Sequence, residues 1–242
     1  MKALVLAAGR GTRVGAITET VNKCFLEVAG KPLIEYSLDH IYGIPDIDEI
    51  VMVVGYKSEA IRQRYKNSFK DKKITYVEQP QQKGLVHAIE SARTAIADAD
   101  FMLMLGDEFM TNPRHKGFVD EFKKNETFTL CGMLRVTDKT LISKTYAVLE
   151  DDRGRIYRLI EKPAKAQNDL MGTGNCLFKN KIFEYIKDTP INQKRGEKEL
   201  PDLIQCAIDD GNVVKYFLIC DEYVNVNNKE ELNKTASYFT HL

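Results

Sequence analysis

The chain has no tryptophan, no net charge and no pair of closely spaced cysteines. Thirty-five basic residues balance thirty-five acidic ones, so no global field recruits nucleic acid or a membrane surface. Any anion binding must come from local charge. The five cysteines, Cys24, Cys131, Cys176, Cys206 and Cys220, are scattered and odd in number. Without a C-x-x-C pair they suggest neither a zinc site nor a disulfide framework, and reduced thiols are the plain reading. No segment approaches the ~20 consecutive apolar residues of a membrane span. Met1-Lys2 before a run of apolar residues mimics a signal peptide, but the run is too short and Arg10 and Arg13 soon interrupt it. The expected location is the cytoplasm, with no membrane and no nucleic acid among the partners.

What is present is a globular composition, 43% hydrophobic and 29% charged, with one distinctive stretch from Leu4 to Lys23. It opens with the apolar run Ala3-Leu4-Val5-Leu6, which reads as a buried strand, and passes at once into Ala7-Ala8-Gly9-Arg10-Gly11-Thr12-Arg13. A loop at the carboxyl end of a parallel strand lies where open α/β sheets bind ligands. Glycine lets the backbone N–H groups approach phosphate oxygens, and the arginines add fixed charge and planar donors. Two familiar phosphate loops are excluded. After Gly9 and Gly11 the dinucleotide fingerprint needs a third glycine where Val14 stands, and no G-K-[ST] triplet is present.

The stretch resembles the signature of the sugar-phosphate nucleotidylyltransferases, L-A-A-G-x-G-T-R at the start of the chain with a lysine about ten residues on. Lys23 matches that lysine, preceded by Asn22 where the family usually has Pro. Glu27-Val28-Ala29-Gly30-Lys31-Pro32-Leu33 resembles the family's next segment, V-x-G-K-P-L/M. The resemblance implies an α/β fold: a doubly wound, mostly parallel, Rossmann-like sheet of the nucleotide-diphospho-sugar transferase type, with a smaller acceptor-binding lobe.

Periodicity agrees with that expectation. Apolar runs at 50–54, 74–77 and 101–105 alternate with helical patterns from Pro32 to Ile41, after Ser58 as N-cap, and from about Leu85 to Ala97. Beyond Pro113 the rhythm changes. Strands are expected at 127–134, 146–149, 155–160, 176–178, 213–219 and 223–226, and helices at 179–186, 197–208 and 229–238. Asp151-Asp152-Arg153-Gly154 reads as a hairpin turn. One domain over 1–242 is expected, with a nucleotide-binding half (1–112) and an acceptor-binding half (113–242).

Asp107 comes directly after an apolar strand, where a carboxylate faces the ligand edge. Mg²⁺ is typically held by one or two carboxylates plus substrate phosphates. Leu105-Gly106-Asp107 resembles the family's metal-binding Asp; Glu108 is next where Asn is usual and is not assigned to the metal. The family's second metal position falls on Asn225 when counted back from Leu232, or on Asn227 if Val226-Asn227-Asn228 is aligned with uridylyltransferases of amino-sugar phosphates. Both asparagines stay open.

By the same resemblance Leu6, Ala7, Ala8, Gly9, Arg10, Gly11, Thr12, Arg13, Lys23 and Asp107 hold the nucleotide. Gln79 and Gly84 read its pyrimidine, since a side-chain amide offers a donor and an acceptor to uracil, thymine or cytosine. Glu161-Lys162-Pro163 resembles the family's E-K-P, implying that Glu161 accepts bonds from sugar hydroxyls and Lys162 holds the acceptor's phosphate. Gly174 and Asn175 are implied in contacting the sugar, and Arg195 in reaching phosphates. Ala147 departs from the family's Tyr-Gly and puts a methyl where it would crowd a sugar.

The implied reaction joins CTP, UTP or dTTP to a sugar 1-phosphate and releases pyrophosphate, with Arg13, Lys23, Asp107 and Lys162 as the catalytic set and Mg²⁺ as cofactor. A phosphate monoester is largely dianionic at neutral pH, so its oxygen attacks the α-phosphorus without losing a proton. Catalysis is then positioning and charge neutralisation, and the dispersed His40, His87, His115 and His241 need no role. The first alternative is a cytidylyltransferase acting on phosphocholine or 2-aminoethylphosphonate. The absence of tryptophan weighs against an aromatic cage for choline, although Tyr and Phe remain. A catalytically silent nucleotide-binding regulatory module is the other. A homo-oligomer is compatible with all three.

Overall fold

A computed structural model describes residues 1–11, 17–124 and 126–239, and is organised around the strand Lys2–Ala7. That strand pairs in parallel with Glu49–Val54 on one side and Phe101–Leu105 on the other. The order across the main path is Ile156–Glu161, Tyr146–Glu150, Leu170–Phe178, Phe101–Leu105, Lys2–Ala7, Glu49–Val54, Lys72–Glu78, Ser68–Phe69. Thr129–Arg135 branches off Leu170–Phe178 and carries Val214–Leu218 in parallel on its far side. The sheet centre is parallel, as expected, and the later strands mostly add antiparallel pairs.

The apolar runs are continuous because both sheet faces are covered. Ala3, Val5 and Ala7 point into one layer, with Ile34, Leu38 and Ile41 of the helix Leu33–Tyr42. Leu4 and Ala8 point into the other, with Val86 and Ile89 of Leu85–Ser91 and Leu203, Ile204 and Ala207 of Leu200–Asp209. Truncating a fully buried residue such as Ile34 or Leu203 to Ala would cost about 2–5 kcal/mol by lost transfer energy and the cavity left.

Several boundaries differ from the sequence reading. A helix His115–Lys124, not foreseen, packs Phe118, Val119 and Phe122 inward. The expected helix 85–97 is two, Leu85–Ser91 and Arg93–Ile96, joined at Ala92. Ser58 precedes the helix Glu59–Tyr65, but its side chain makes no capping bond; its carbonyl accepts from Arg62 N–H at 3.0 Å. The expected helix from 197 starts at Leu200, because Glu197–Lys198 instead pairs with Ile191–Asn192 in a small hairpin. The strand expected at 176–178 extends back to Leu170 and is buried along its length. Glu108–Thr111 is also a strand, paired with Glu222–Asn225. Among the described residues no helix is long and apolar enough to cross a membrane.

Candidate active site

Parallel pairing brings the carboxyl ends of the central strands to one edge. The ladder continues past the strands: Gly106 N–H donates to Leu6 O at 2.9 Å, Gln79 N–H to Val54 O at 2.8 Å and Tyr56 N–H to Ala8 O at 3.3 Å. Leu6 to Gly11, Tyr56, Gln79 and Asp107 are thereby gathered at the same edge. Thr12 and Arg13 lie outside the described residues.

Asn22, an unassigned position, anchors the loop. Its amide donates to Ala7 O at 3.0 Å and Tyr56 O at 2.7 Å, while its Oδ1 accepts from Cys24 N–H at 2.9 Å. This holds the turn that presents Lys23. Gly11 lies under that lysine with φ +65°, and a Cβ there would meet the Lys23 Cβ at 2.7 Å. Arg10 stacks over the Tyr56 ring, 4.9 Å from its centroid.

The Lys23 ammonium is paired with the Asp107 carboxylate and donates to Asn227 Oδ1 at 3.3 Å. Val226 N–H binds the Asp107 carbonyl at 2.9 Å, which brings the late Asn225–Asn227 segment to the early strand end. The two asparagines are distinguished by their bonds. Asn227 donates its amide to Asn225 Oδ1 at 2.9 Å, while its own oxygen accepts from Lys23. Asp107 and Asn227 thus present oxygen atoms around a cation, the ammonium of Lys23. All-oxygen donors suit Mg²⁺.

Gln79 is buried and donates to Gly84 O at 3.2 Å; its Nε2 also lies 2.9 Å from His87 Nδ1. The structure therefore brings the two expected base-reading positions into contact. Gly84 has φ +90°, and Glu197 fills the space a side chain there would need.

A cavity of about 200 Å³ opens beside the asparagines, with Glu161, Lys162, Gly174 and Arg195 in its walls together with Asn225 and Asn227. Arg195 is gripped by three carboxylates: Glu197 at 2.6 Å, Glu199 at 3.0 Å and Glu161 at 3.5 Å. Lys162 pairs with Glu161 at 2.8 Å. Burial, with the nearby Glu161 charge, pushes the Glu199 carboxyl above its ordinary range.

Two expected acceptor contacts take other roles. The Ala147 side chain packs into the core with Met171, so its methyl does not crowd the cavity; its neighbour Tyr146 lines the wall instead. Asn175 is fully buried, donating to Glu108 Oε2 at 2.6 Å and meeting His115 Nε2 at 2.9 Å. Lys144 and Tyr223 also line the cavity; Lys144 belongs to no motif, and Tyr223 opens the segment matched to the family's second metal position without being assigned a role.

The nucleotidyl transferase family model matches residues 2–227. The UTP–glucose-1-phosphate uridylyltransferase AglF of Haloferax volcanii is 35% identical over 88% of this chain and 86% of its own length. A glucose-1-phosphate thymidylyltransferase of Streptomyces griseus is 32% identical over 96% of this chain but only 64% of its own, so the chain spans under two thirds of that relative. A solved UDP-glucose pyrophosphorylase complexed with UDP-glucose superposes with a TM-score of 0.87 over 99% of this chain and 98% of its own, at 21% identity, which is a likeness of fold. With the glycine loop, Lys23 and Asp107 gathered at one sheet edge and this match over nearly the whole length, the chain is an enzyme of the nucleotidyl transferase family.

Proposed function

We propose that the protein transfers a nucleotidyl group from UTP or dTTP to a hexose 1-phosphate, releasing pyrophosphate. The observation that carries this reading is the Lys23–Asp107–Asn227 cluster, because Asn227 also lines the Glu161–Lys162 cavity. The triphosphate side and the acceptor side share a wall. The first half of the chain, to about residue 112, would then serve the nucleotide and the second half the acceptor. Consumption of an NTP and cysteines that form no disulfide suit a cytoplasmic setting.

In the reaction an acceptor phosphate oxygen attacks the α-phosphorus in line, one P–O bond forms, and the bond to the β-phosphate oxygen breaks. Lys23 neutralises charge at the α-phosphate together with Arg13. Lys162 holds the acceptor's phosphate, and Glu161 accepts from its sugar hydroxyls. Gln79, its Nε2 held by Gly84 O and His87 Nδ1, offers its amide oxygen to a donor on the pyrimidine edge. Asp107 and Asn227, with Asn225 behind, would hold Mg²⁺, which supplies further charge neutralisation when bound. No general base is required.

One observation keeps the second acceptor class in view. Glu161, Glu197 and Glu199 converge on Arg195, and the ammonium of an aminoalkyl phosphate or phosphonate would find the same carboxylates. The test is pyrophosphate release from a panel of UTP, dTTP and CTP against hexose 1-phosphates, phosphocholine and 2-aminoethylphosphonate. Absence of Mg²⁺-dependent release from every pair would refute the reading. CTP-specific release with the amine acceptors alone would replace it by the second.

A further inference from the structure

Glu108 has no part in the proposed chemistry, yet it is 3% exposed and both its carboxylate oxygens are engaged. Oε1 accepts from Gly174 N–H at 2.9 Å and from the Tyr223 hydroxyl; Oε2 accepts from Asn175 Nδ2 at 2.6 Å. Its backbone stands opposite Asn225 in the antiparallel ladder, and it sits next to Asp107 in the chain. One residue therefore ties the strand end carrying Asp107, the strand carrying Asn225, and the strand Leu170–Phe178 that forms the acceptor wall. Gly174 allows this closure, because a Cβ there would collide with Glu108 Oε1 and the Leu105 side chain.

We propose that Glu108 is a positioning residue that holds the acceptor cavity in register with the Asp107–Asn227 oxygens; the role rests on the reaction proposed above. A carboxylate suits the task because three donors from two strands, Gly174 and Asn175 on one and Tyr223 on the other, point at it. An amide in its place offers one acceptor oxygen and two donor hydrogens. The same carboxylate gives the polar chain behind it a direction. Asn175 donates to Glu108, so its Oδ1 must accept, and His115 must donate from Nε2. His115 Nδ1 is then the bare nitrogen, and among the described residues it is buried without a hydrogen-bond partner.

Glu108→Gln reverses that chain. The Gln amide can keep its oxygen toward Gly174 N–H and Tyr223, which turns its NH₂ toward Asn175. Asn175 must flip, present its own NH₂ to His115 Nε2, and drive the imidazole to the Nδ1–H form.

The experiment measures kcat and both KM values for wild type, Glu108→Gln and Glu108→Ala, with UTP or dTTP and glucose 1-phosphate, and reads the His115 tautomer by ¹⁵N NMR. Displacing an aligned acceptor by about 1 Å costs on the order of 10²-fold in rate, so Glu108→Ala should lose about that much kcat, and Glu108→Gln about tenfold. Acceptor KM should rise severalfold, while nucleotide KM stays within about twofold because Lys23 and Gln79 keep their partners. His115 should change from Nε2–H to Nδ1–H in Glu108→Gln. If Glu108→Ala does not fold, the Gln variant decides through its kcat and its tautomer. Wild-type kcat in Glu108→Gln with His115 still Nε2–H would overturn the positioning role while leaving the reaction standing. A wild type inactive on every substrate pair would overturn the reaction and the role with it.

Discussion

Lys23 and Asp107, 84 positions apart in the chain, form an ion pair at the sheet edge with side-chain exposures of 9% and 16%. The lysine satisfies a carboxylate that would otherwise repel an incoming triphosphate. Lys23→Ala should therefore lower kcat by about 10²-fold or more, the usual scale for deleting a preorganised charge-stabilising group. Lys23→Arg should recover little, because a planar guanidinium cannot replace a compact ammonium beside both Asp107 and Asn227. Single-turnover pyrophosphate release checks both. Near-normal turnover in Lys23→Ala would remove this lysine from the mechanism.

Gly172 and Tyr146 make a second prediction, on stability. A Cβ at 172 would land within the Tyr146 ring, which is itself 4% exposed and cannot move outward. Gly172→Ala should cost about 1–3 kcal/mol by overpacking. A Gly172→Ala, Tyr146→Phe double variant should recover none of it, because the clash is with the ring and not the hydroxyl. Tyr146→Leu should relieve part. Urea midpoints of the four proteins separate these outcomes, and an unchanged midpoint in Gly172→Ala would contradict the packing.

The legible parts of this protein were those written locally. Continuous apolar runs at 3–6, 50–54 and 101–105 revealed the parallel centre because both faces are buried there. Lys23, Asp107 and Glu161-Lys162 stood out because motifs with fixed spacing carry them. The helix His115–Lys124 is hard to see although Phe118, Val119 and Phe122 recur at helical spacing, because Pro113 and Gly117 are helix-breaking residues beside and within it. Leu170–Phe178 was shortened because Gly172-Thr173-Gly174-Asn175 resembles a turn. Those glycines instead make room for Tyr146 and Glu108, partners at least 26 positions away. The choice between Asn225 and Asn227 could not be made by counting, since it depends on which amide donates to which oxygen after folding. Glu108 is illegible for the same reason: its three donors come from two strands distant in the chain.

Acid stability should report the buried imidazoles. His40 and His115 stack with centroids 4.8 Å apart, and burial lowers them from 6.5 to about 3 and about 4 respectively, the neighbouring His115 also lowering His40. Their unfolded forms bind protons first, so their contribution is present above 6.5 and is lost as pH falls toward the folded values. Glu108 acts in the opposite sense. Burial, reinforced by Asp107, raises its carboxyl from 4.5 to about 8, so its contribution is present below 4.5 and is lost as pH rises through about 8. Between pH 6.5 and 4.5 the effects oppose one another. Relative to wild type, His115→Gln should flatten the loss of stability on acidification, and Glu108→Gln should steepen it, each by at most about 1.4 kcal/mol per pH unit. Denaturant midpoints at pH 7, 6 and 5 check the signs, and parallel profiles for all three proteins would refute them.

Asn227 supplies the last prediction. Its Oδ1 accepts from Lys23, the partner of Asp107, whereas Asn225 Oδ1 is occupied by the Asn227 amide. An amide oxygen can take Mg²⁺ but brings no charge, so the cluster has Asp107 as its single carboxylate. Asn227→Asp adds a second carboxylate facing the same ammonium, which should lower the Mg²⁺ concentration for half-maximal rate severalfold, since added ligand charge strengthens hard-cation binding. Asn225→Asp should shift it less, because that side chain stands behind Asn227. Asn227→Leu, which removes the oxygen and keeps comparable bulk, should raise the requirement. A Mg²⁺ titration of pyrophosphate release at saturating substrates orders the variants. If Asn225→Asp shifted the curve more than Asn227→Asp, the oxygen assigned to the cation would be the wrong one of the pair.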